Sequence, residues 1–170
     1  DAGDTATYSI TGTDADSFEL VGSTLKLKDS VTGDFETKSS YSISLTATDT
    51  GSNTRTEAFT ISVTDVNEAP TAVVLSASSF AENTLGPTIG SLSSTDPDSG
   101  ESFSYAISGT DAASFEISDS TLKLKDSVSG DYESKTSYSI TITSTDTGGN
   151  TKSNDFTISV TDANESPTAV

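Results

Sequence analysis

The sequence repeats itself at an offset of 97 residues, with no gap, residues 1–73 matching 98–170. Tyr8 recurs as Tyr105, Phe18 as Phe115, Leu25 as Leu122, Tyr41 as Tyr138 and Asp65 as Asp162, and TLKLKDSV at 24–31 returns unchanged at 121–128. Roughly two thirds of the aligned positions are identical. Internal repetition constrains a fold more than composition does, because each copy must be one packing unit. Residues 70–166 form one complete unit, residues 1–69 a partial unit lacking its first two strands, and residues 167–170 the start of another. The partial unit needs about 28 further residues to close. Chain upstream or a neighbouring molecule would supply them, and the first is preferred because any cut through tandem units is arbitrary. The chain has no Met and no signal segment, which marks it as a piece of a longer or processed chain.

Within the complete unit the apolar residues alternate with period two between polar turns. The pattern predicts strands at about 72–80, 88–95 and 103–108, a bulge after Ile89, and a hairpin in which Phe115 and Ile117 face Leu122 and Leu124. YSITITSTD would bury Tyr138, Ile140 and Ile142, and FTISVTD would bury Phe156, Ile158 and Val160. No segment has helical periodicity. Short alternating strands with turns at this spacing predict an all-β fold of tandem antiparallel β-sandwiches.

The formal charge is −18, from 26 acids and 8 bases. Phosphate backbones and anionic membranes would be repelled, so nucleic acid and membrane insertion are excluded as partners. There is no Cys and no His. Disulfides, thiolate metal sites, His-dependent zinc sites and Ser-His or Cys-His nucleophile systems are therefore excluded. No apolar run reaches the length of a membrane-spanning helix.

The acids follow the strand register. Phe59, Ile61 and Val63 lead in phase to Asp65; Tyr41, Ile43, Leu45 and Ala47 to Asp49; Leu92 and Ser94 to Asp96. Carboxylates in the core register at strand ends converge on the sandwich rim, where they repel unless a hard cation with oxygen ligands lies between them.

Five motifs in order carry a family resemblance: AEN at 81–83, TDPD at 95–98, GDFE and GDYE at 33–36 and 130–133, ATDTGS and STDTGG at 47–52 and 144–149, and the closing TDVNEAP and TDANESP. The unit resembles a cadherin repeat, and more closely the cadherin-like repeats of large bacterial surface proteins, with a linker one residue shorter than the family's DxNDNxP. The resemblance implies Greek-key β-sandwiches of cadherin-like, Ig-like topology with Ca2+ at the inter-repeat junctions. It assigns Asp34, Glu36, Asp65, Asn67, Glu68, Asp96, Asp98 and Asp146 to the junction between the two copies, with Asn67 acting through its backbone carbonyl. Glu82, Asp131, Glu133, Asp162, Asn164 and Glu165 would form half of a site shared with a following repeat, and Asp1 and Asp49 half of one shared with a preceding repeat. One to three ions per junction are expected.

Other readings of the same residues are blander. Asp49, Asp96 and Asp146 also suit Asx turns. Asp14, Asp16, Glu19, Asp29, Glu57, Glu116, Asp119, Asp126 and Asp155 read as solvated faces and loops, and Lys26, Lys28, Lys123 and Lys125 as the solvent face of a hairpin that blunts an edge. TDPDSGE stops short of an EF-hand ligand pattern. The Asn164-Glu165-Ser166 sequon lacks a counterpart at Asn67 and reads as incidental. Asp34 with Glu36 could serve glycosidase chemistry, but recurrence in both copies fits a structural role, so no enzyme is expected. The expected function is a calcium-rigidified structural repeat of a secreted or cell-surface adhesin stalk. The alternatives are a subunit of an extracellular filament or sheath, and a glycan- or protein-binding adhesive module. The expected partners are adjacent repeats of the same chain, together with homophilic or filament-neighbour contacts.

Overall fold

The computed structural model describes residues 5–166. The chain divides into two compact units, Asp1–Val66 and Asn67–Val170. Asp1 lies outside the described residues. The described residues are strands and loops apart from two single 3-10 turns, Ala15–Ser17 and Ala112–Ser114. Among them no helix is long and apolar enough to cross a membrane.

The second unit holds β6 (Ala72–Leu75), β7 (Ser79–Ala81), β8 (Thr88–Thr95), β9 (Ser104–Ser108), β10 (Phe115–Ser118), β11 (Thr121–Leu124), β12 (Ser137–Thr145) and β13 (Thr151–Thr161). They form two four-stranded sheets, ordered β10-β11-β8-β6 and β7-β13-β12-β9. Alternate residues of both sheets meet in one core. Leu122, Ile142 and Ile158 are wholly buried there, and the Phe115 ring stands edge-on to Tyr138 at 5.5 Å.

The single opening strand expected at 72–80 is in fact two. β6 pairs antiparallel with β8, then the chain crosses to the other sheet and β7 pairs parallel with β13, Phe80 opposite Val160. The crossing turns on Gly90, where a Cβ would stand 2.8 Å from the Ala77 nitrogen. Ser76 secures it by accepting from the Ser91 N–H at 2.8 Å. The crossing drops the Phe80 ring over Gly130, where a Cβ would lie 2.6 Å from Phe80 Cε2.

The bulge lies where the pattern places it. Leu122 pairs with Gly90 but Lys123 with Thr88, so Ile89 is the extra residue and points into the core beside Gly90. The β10–β11 hairpin has the expected register, Phe115 opposite Leu124 and Ile117 opposite Leu122. Its two-residue turn puts Asp119 at φ 54°, and the first copy has Gly22 at φ 64° there. β13 begins at Thr151, five residues before the apolar FTISV. Its inward positions there are Lys152 and Asn154, so hydropathy hides the strand; Asn154 Nδ2 donates to Val73 O at 3.1 Å.

The first unit holds β1 (Thr7–Thr11), β2 (Phe18–Val21), β3 (Thr24–Leu27), β4 (Ser40–Thr48) and β5 (Thr54–Ser62), in a three-stranded sheet β1-β4-β5 and a β2-β3 ribbon. Phe18, Tyr41 and Ile43 are buried. Phe59 is 44 % exposed and Ile61 half-buried, whereas Ile158, the counterpart of Ile61, is fully buried beneath the sheet that contains β6 and β8.

Two assignments of charged residues change. Asp14 is not a loop acid: its side chain is 12 % exposed and accepts from Lys38 Nζ and the Ser42 N–H, both at 2.6 Å. Asp111 does the same in the second unit, binding Lys135 Nζ and, at 2.7 Å, the Ser139 N–H. Lys135 also lies 4.6 Å over the Tyr138 ring. This clamp ties the 3-10 turn to the start of the next long strand in both copies. Lys123 does not blunt an edge in the second unit, because β11 is interior; it pairs across to Glu116 on the edge strand β10 at 2.9 Å.

Two outcomes follow. Gly130→Ala, which drives a Cβ into Phe80, destabilises the second unit by about 1–3 kcal/mol in denaturant unfolding. Gly33→Ala meets only Val63 Cγ1, at 3.6 Å, and leaves the first unit within about 0.5 kcal/mol of wild type. The Lys135 ammonium and the Ser139 N–H hold the Asp111 carboxyl below its ordinary 3.8. Stability from this clamp is present above that value and lost as pH falls through the lowered one. Asp111→Asn should lower the melting temperature by a few degrees at pH 7, and the difference should close on acidification below pH 3.8.

Candidate metal centre

Acids and amides gather at the two opposite ends of the second unit. At the first end, the buried register of β12 runs Tyr138, Ile140, Ile142, Ser144 and then Asp146, which is 7 % exposed. β8 brings Asp96 to the same end, as the bond between Ser94 Oγ and Ser144 Oγ at 2.8 Å shows. Asp96 Oδ1 accepts the Asp98 N–H at 3.1 Å, but Asp96 Oδ2 is buried with no hydrogen-bond partner. Asp98 Oδ2 accepts the Glu68 N–H at 2.8 Å, and Asp146 accepts from Asn67 Nδ2 at 2.9 Å and the Asn150 N–H at 2.8 Å. Burial pushes the Asp146 carboxyl up, but donors from Asn67, Asn150, Gly149 and Gly148 outweigh it and hold the group below its ordinary range. Gly148 is required here, since a Cβ would lie 2.6 Å from the Asn67 carboxamide.

At the other end, Glu82 follows β7 and is 3 % exposed. Its carboxylate accepts the Ala163 N–H at 2.7 Å and the Tyr132 N–H at 2.6 Å, and these two bonds hold its pKa down. Carboxylate oxygens of Glu82, Glu133, Asp162 and Glu165 all lie within 4.8 Å of one another. Asn83, at φ 61°, donates to Glu165 Oε1 at 2.6 Å. The Glu133 carboxyl is pulled down by its own backbone N–H, but burial and the charges of Glu82, Glu165 and Asp162 push it up further.

Of the six residues assigned to that end, four converge. Asp131 instead caps its own turn, accepting from the Ser134 N–H and Oγ at 3.0 and 2.8 Å. Asn164 Nδ2 reaches the adjacent Glu165 O at 3.4 Å. In the first unit Asp34 caps the equivalent turn through Thr37, and carboxylate oxygens of Glu36 and Asp65 lie within 4.8 Å of each other. Asp49 accepts the Asn53 N–H at 2.7 Å and Asn53 Nδ2 at 2.9 Å. Sequence reasoning missed Asn83, Asn150 and Glu101, which accepts from Thr147 N–H at 3.0 Å. Asn83 was signalled by its place inside the AEN motif, and Asn150 by following STDTGG directly.

The donor set is all oxygen and strongly anionic. It fits a hard divalent cation such as Ca2+ rather than a softer metal. The buried, partnerless Asp96 Oδ2 fits the same ion, because a desolvated carboxylate oxygen needs a positive partner. Glu82→Gln presents an amide donor to one of two backbone N–H groups. That loss at a buried acceptor exceeds the relief of repulsion among the exposed acids. The metal-free melting temperature should therefore fall by several degrees in a thermal scan.

The sequence model of the Cadherin domain matches residues 76–161, just over half of the chain. No curated protein sequence matches. Among solved structures, PcdhgB3 EC1-4 is similar at 26% identity and TM-score 0.72, over 94% of this chain and 41% of that one. The protocadherin gammaB7 EC3-6 cis-dimer structure is similar at 27% identity and TM-score 0.67, over 95% and 41%. Human protocadherin-24 EC1-2 shares the fold at 22% identity and TM-score 0.67, over 92% and 82%. The chain thus spans about two fifths of the first two relatives. The chain belongs to the cadherin domain family, whose domains are extracellular adhesion modules that generally bind calcium.

Proposed function

We propose that the chain is a calcium-rigidified structural segment of a secreted or cell-surface adhesin of the bacterial cadherin-like kind. Its repeats would divide as residues 1–69, 70–166 and 167–170. The observation that carries the reading is the convergence of Glu82, Glu133, Asp162 and Glu165 within 4.8 Å, at one end of a unit whose other end buries the partnerless Asp96 Oδ2. Like charges at that spacing oppose folding unless a cation joins them.

On this reading Asp34, Glu36, Asp65, Asn67, Glu68, Asp96, Asp98 and Asp146 serve one site between successive repeats. Glu82, Asp131, Glu133, Asp162, Asn164 and Glu165 contribute half of the next, and Asp1 and Asp49 half of the preceding one. Asp34 and Asp131 take part from their capped positions, where both oxygens of each accept one cap bond and keep a further lone pair. Bound calcium supplies the positive charge; the protein's residues fix its place and hold the linker in one conformation. Extracellular modules of this sort bind calcium at about 10⁻⁴–10⁻³ M.

Homophilic contact is a second reading, favoured by the cis-dimer described for the gammaB7 relative. The test is one chain in two buffers. Millimolar calcium should raise the melting temperature, protect residues 65–71 from protease and saturate in a calcium titration, all relative to EDTA. Sedimentation in both buffers reports any dimer. Identical melting and cleavage in the two buffers, with no calcium heat, would remove the calcium reading.

A further inference from the structure

Asn150 sits half-buried in the turn after β12. Its side-chain amide donates to two successive main-chain carbonyls, Asn67 O at 3.0 Å and Glu68 O at 3.1 Å. Other groups of the same two residues reach the acids of this end: Asn67 Nδ2 bonds Asp146 Oδ2, and the Glu68 N–H bonds Asp98 Oδ2. One carboxamide therefore orients both peptide planes, and through the Asn67–Glu68 peptide the N–H that meets Asp98; Glu68 O also accepts from Asn67 Nδ2 at 2.8 Å. It is also a neutral donor, which a cluster of carboxylates and carbonyls accepts without adding to its negative charge.

The first unit shows what this side chain does with another partner. Asn53 is the equivalent residue, and its backbone N–H bonds Asp49 Oδ1 just as that of Asn150 bonds Asp146 Oδ1. Its amide, however, folds back onto Asp49 Oδ2 at 2.9 Å. In the second unit that position on the aspartate is taken by Asn67 Nδ2, and the Asn150 amide turns outward to the carbonyls. The two arrangements differ by an exchange of amides: one asparagine leaves the aspartate oxygen, another replaces it, and two backbone carbonyls gain a donor. No buried polar group is left unmade by the swap, so residues 67–68 can dock at little cost in hydrogen bonding.

We propose that Asn150 is a positioning residue: it clasps the backbone at Asn67 and Glu68 and holds their oxygens beside Asp96, Asp98 and Asp146 before any cation binds. Asn53 is the same clasp in its closed form. The affinity consequence rests on the calcium reading above; the docking of residues 67–68 does not.

The full 170-residue chain tests this as wild type, Asn150→Ala and Asn154→Ala. The last removes a matched amide-to-carbonyl bond, Asn154 to Val73, elsewhere in the sandwich. In metal-free, nitrogen-15-labelled protein, Asn150→Ala should speed hydrogen exchange at the Glu68 N–H about five- to tenfold and weaken calcium binding by a similar factor, as expected for one or two net hydrogen bonds. Asn154→Ala should lower the melting temperature but leave both readings at wild-type values. Asn150→Asp, isosteric but unable to donate, should speed the same exchange should the alanine variant fail to fold. The clasp is overturned if Glu68 exchange is unchanged on losing the Asn150 amide, or if Asn154→Ala changes it equally. If wild type takes up no calcium, the preceding reading fails, while Glu68 exchange still decides the clasp.

Discussion

A β-strand alternates its side chains, and in the second unit that alternation continues past the last apolar residue into a carboxylate. β12 carries Tyr138, Ile140, Ile142 and Ser144 inward, and the next inward residue is Asp146. Core packing therefore sets where the acid stands. Moving Asp146 would require slipping β12 against β13 and β9, which would turn Ile140 and Ile142 out of a core where they are almost wholly buried. The place of Asp146 is thus set by the same packing that builds the hydrophobic centre.

Placing acids together on the rim creates an electrostatic problem that the backbone partly answers. Glu82 takes N–H groups from Tyr132 and Ala163, Asp146 from Asn150, and Asp98 from Glu68. Each bond to a carboxylate favours its charged form. What the backbone leaves over is a raised Glu133 and the partnerless Asp96 Oδ2. Those two groups are the specific reasons to expect a cation; net charge alone would be satisfied by mobile counter-ions.

Much of the fold was legible because it rests on short-range rules. The Ile89 bulge, the hairpin register and the inward faces of β12 and β13 all follow from period-two patterning. The split of the opening strand did not, because it depends on Gly90 making room for Ala77 and on Gly130 making room for Phe80, contacts between residues far apart in sequence. Lys152 and Asn154 hid the first half of β13 for a related reason: an inward polar residue is acceptable when a distant carbonyl such as Val73 O receives it. Asp14 read as a loop acid because its partners, Lys38 and Ser42, stand 24 and 28 residues away.

The sequence by itself determined the repeat, the strand faces and which acids end the strands, since each is a statement about periodicity along one chain. Tertiary structure alone decided which of those acids meet. Glu82, Glu133, Asp162 and Glu165 converge, while Asp131, from the same motif as Glu133, turns to cap its own loop. It also decided that Asn150 faces outward to two carbonyls while its repeat-mate Asn53 closes on Asp49. The physical reason is that a side chain's partner is set by what the fold brings within hydrogen-bond reach, and identical residues choose differently when that differs.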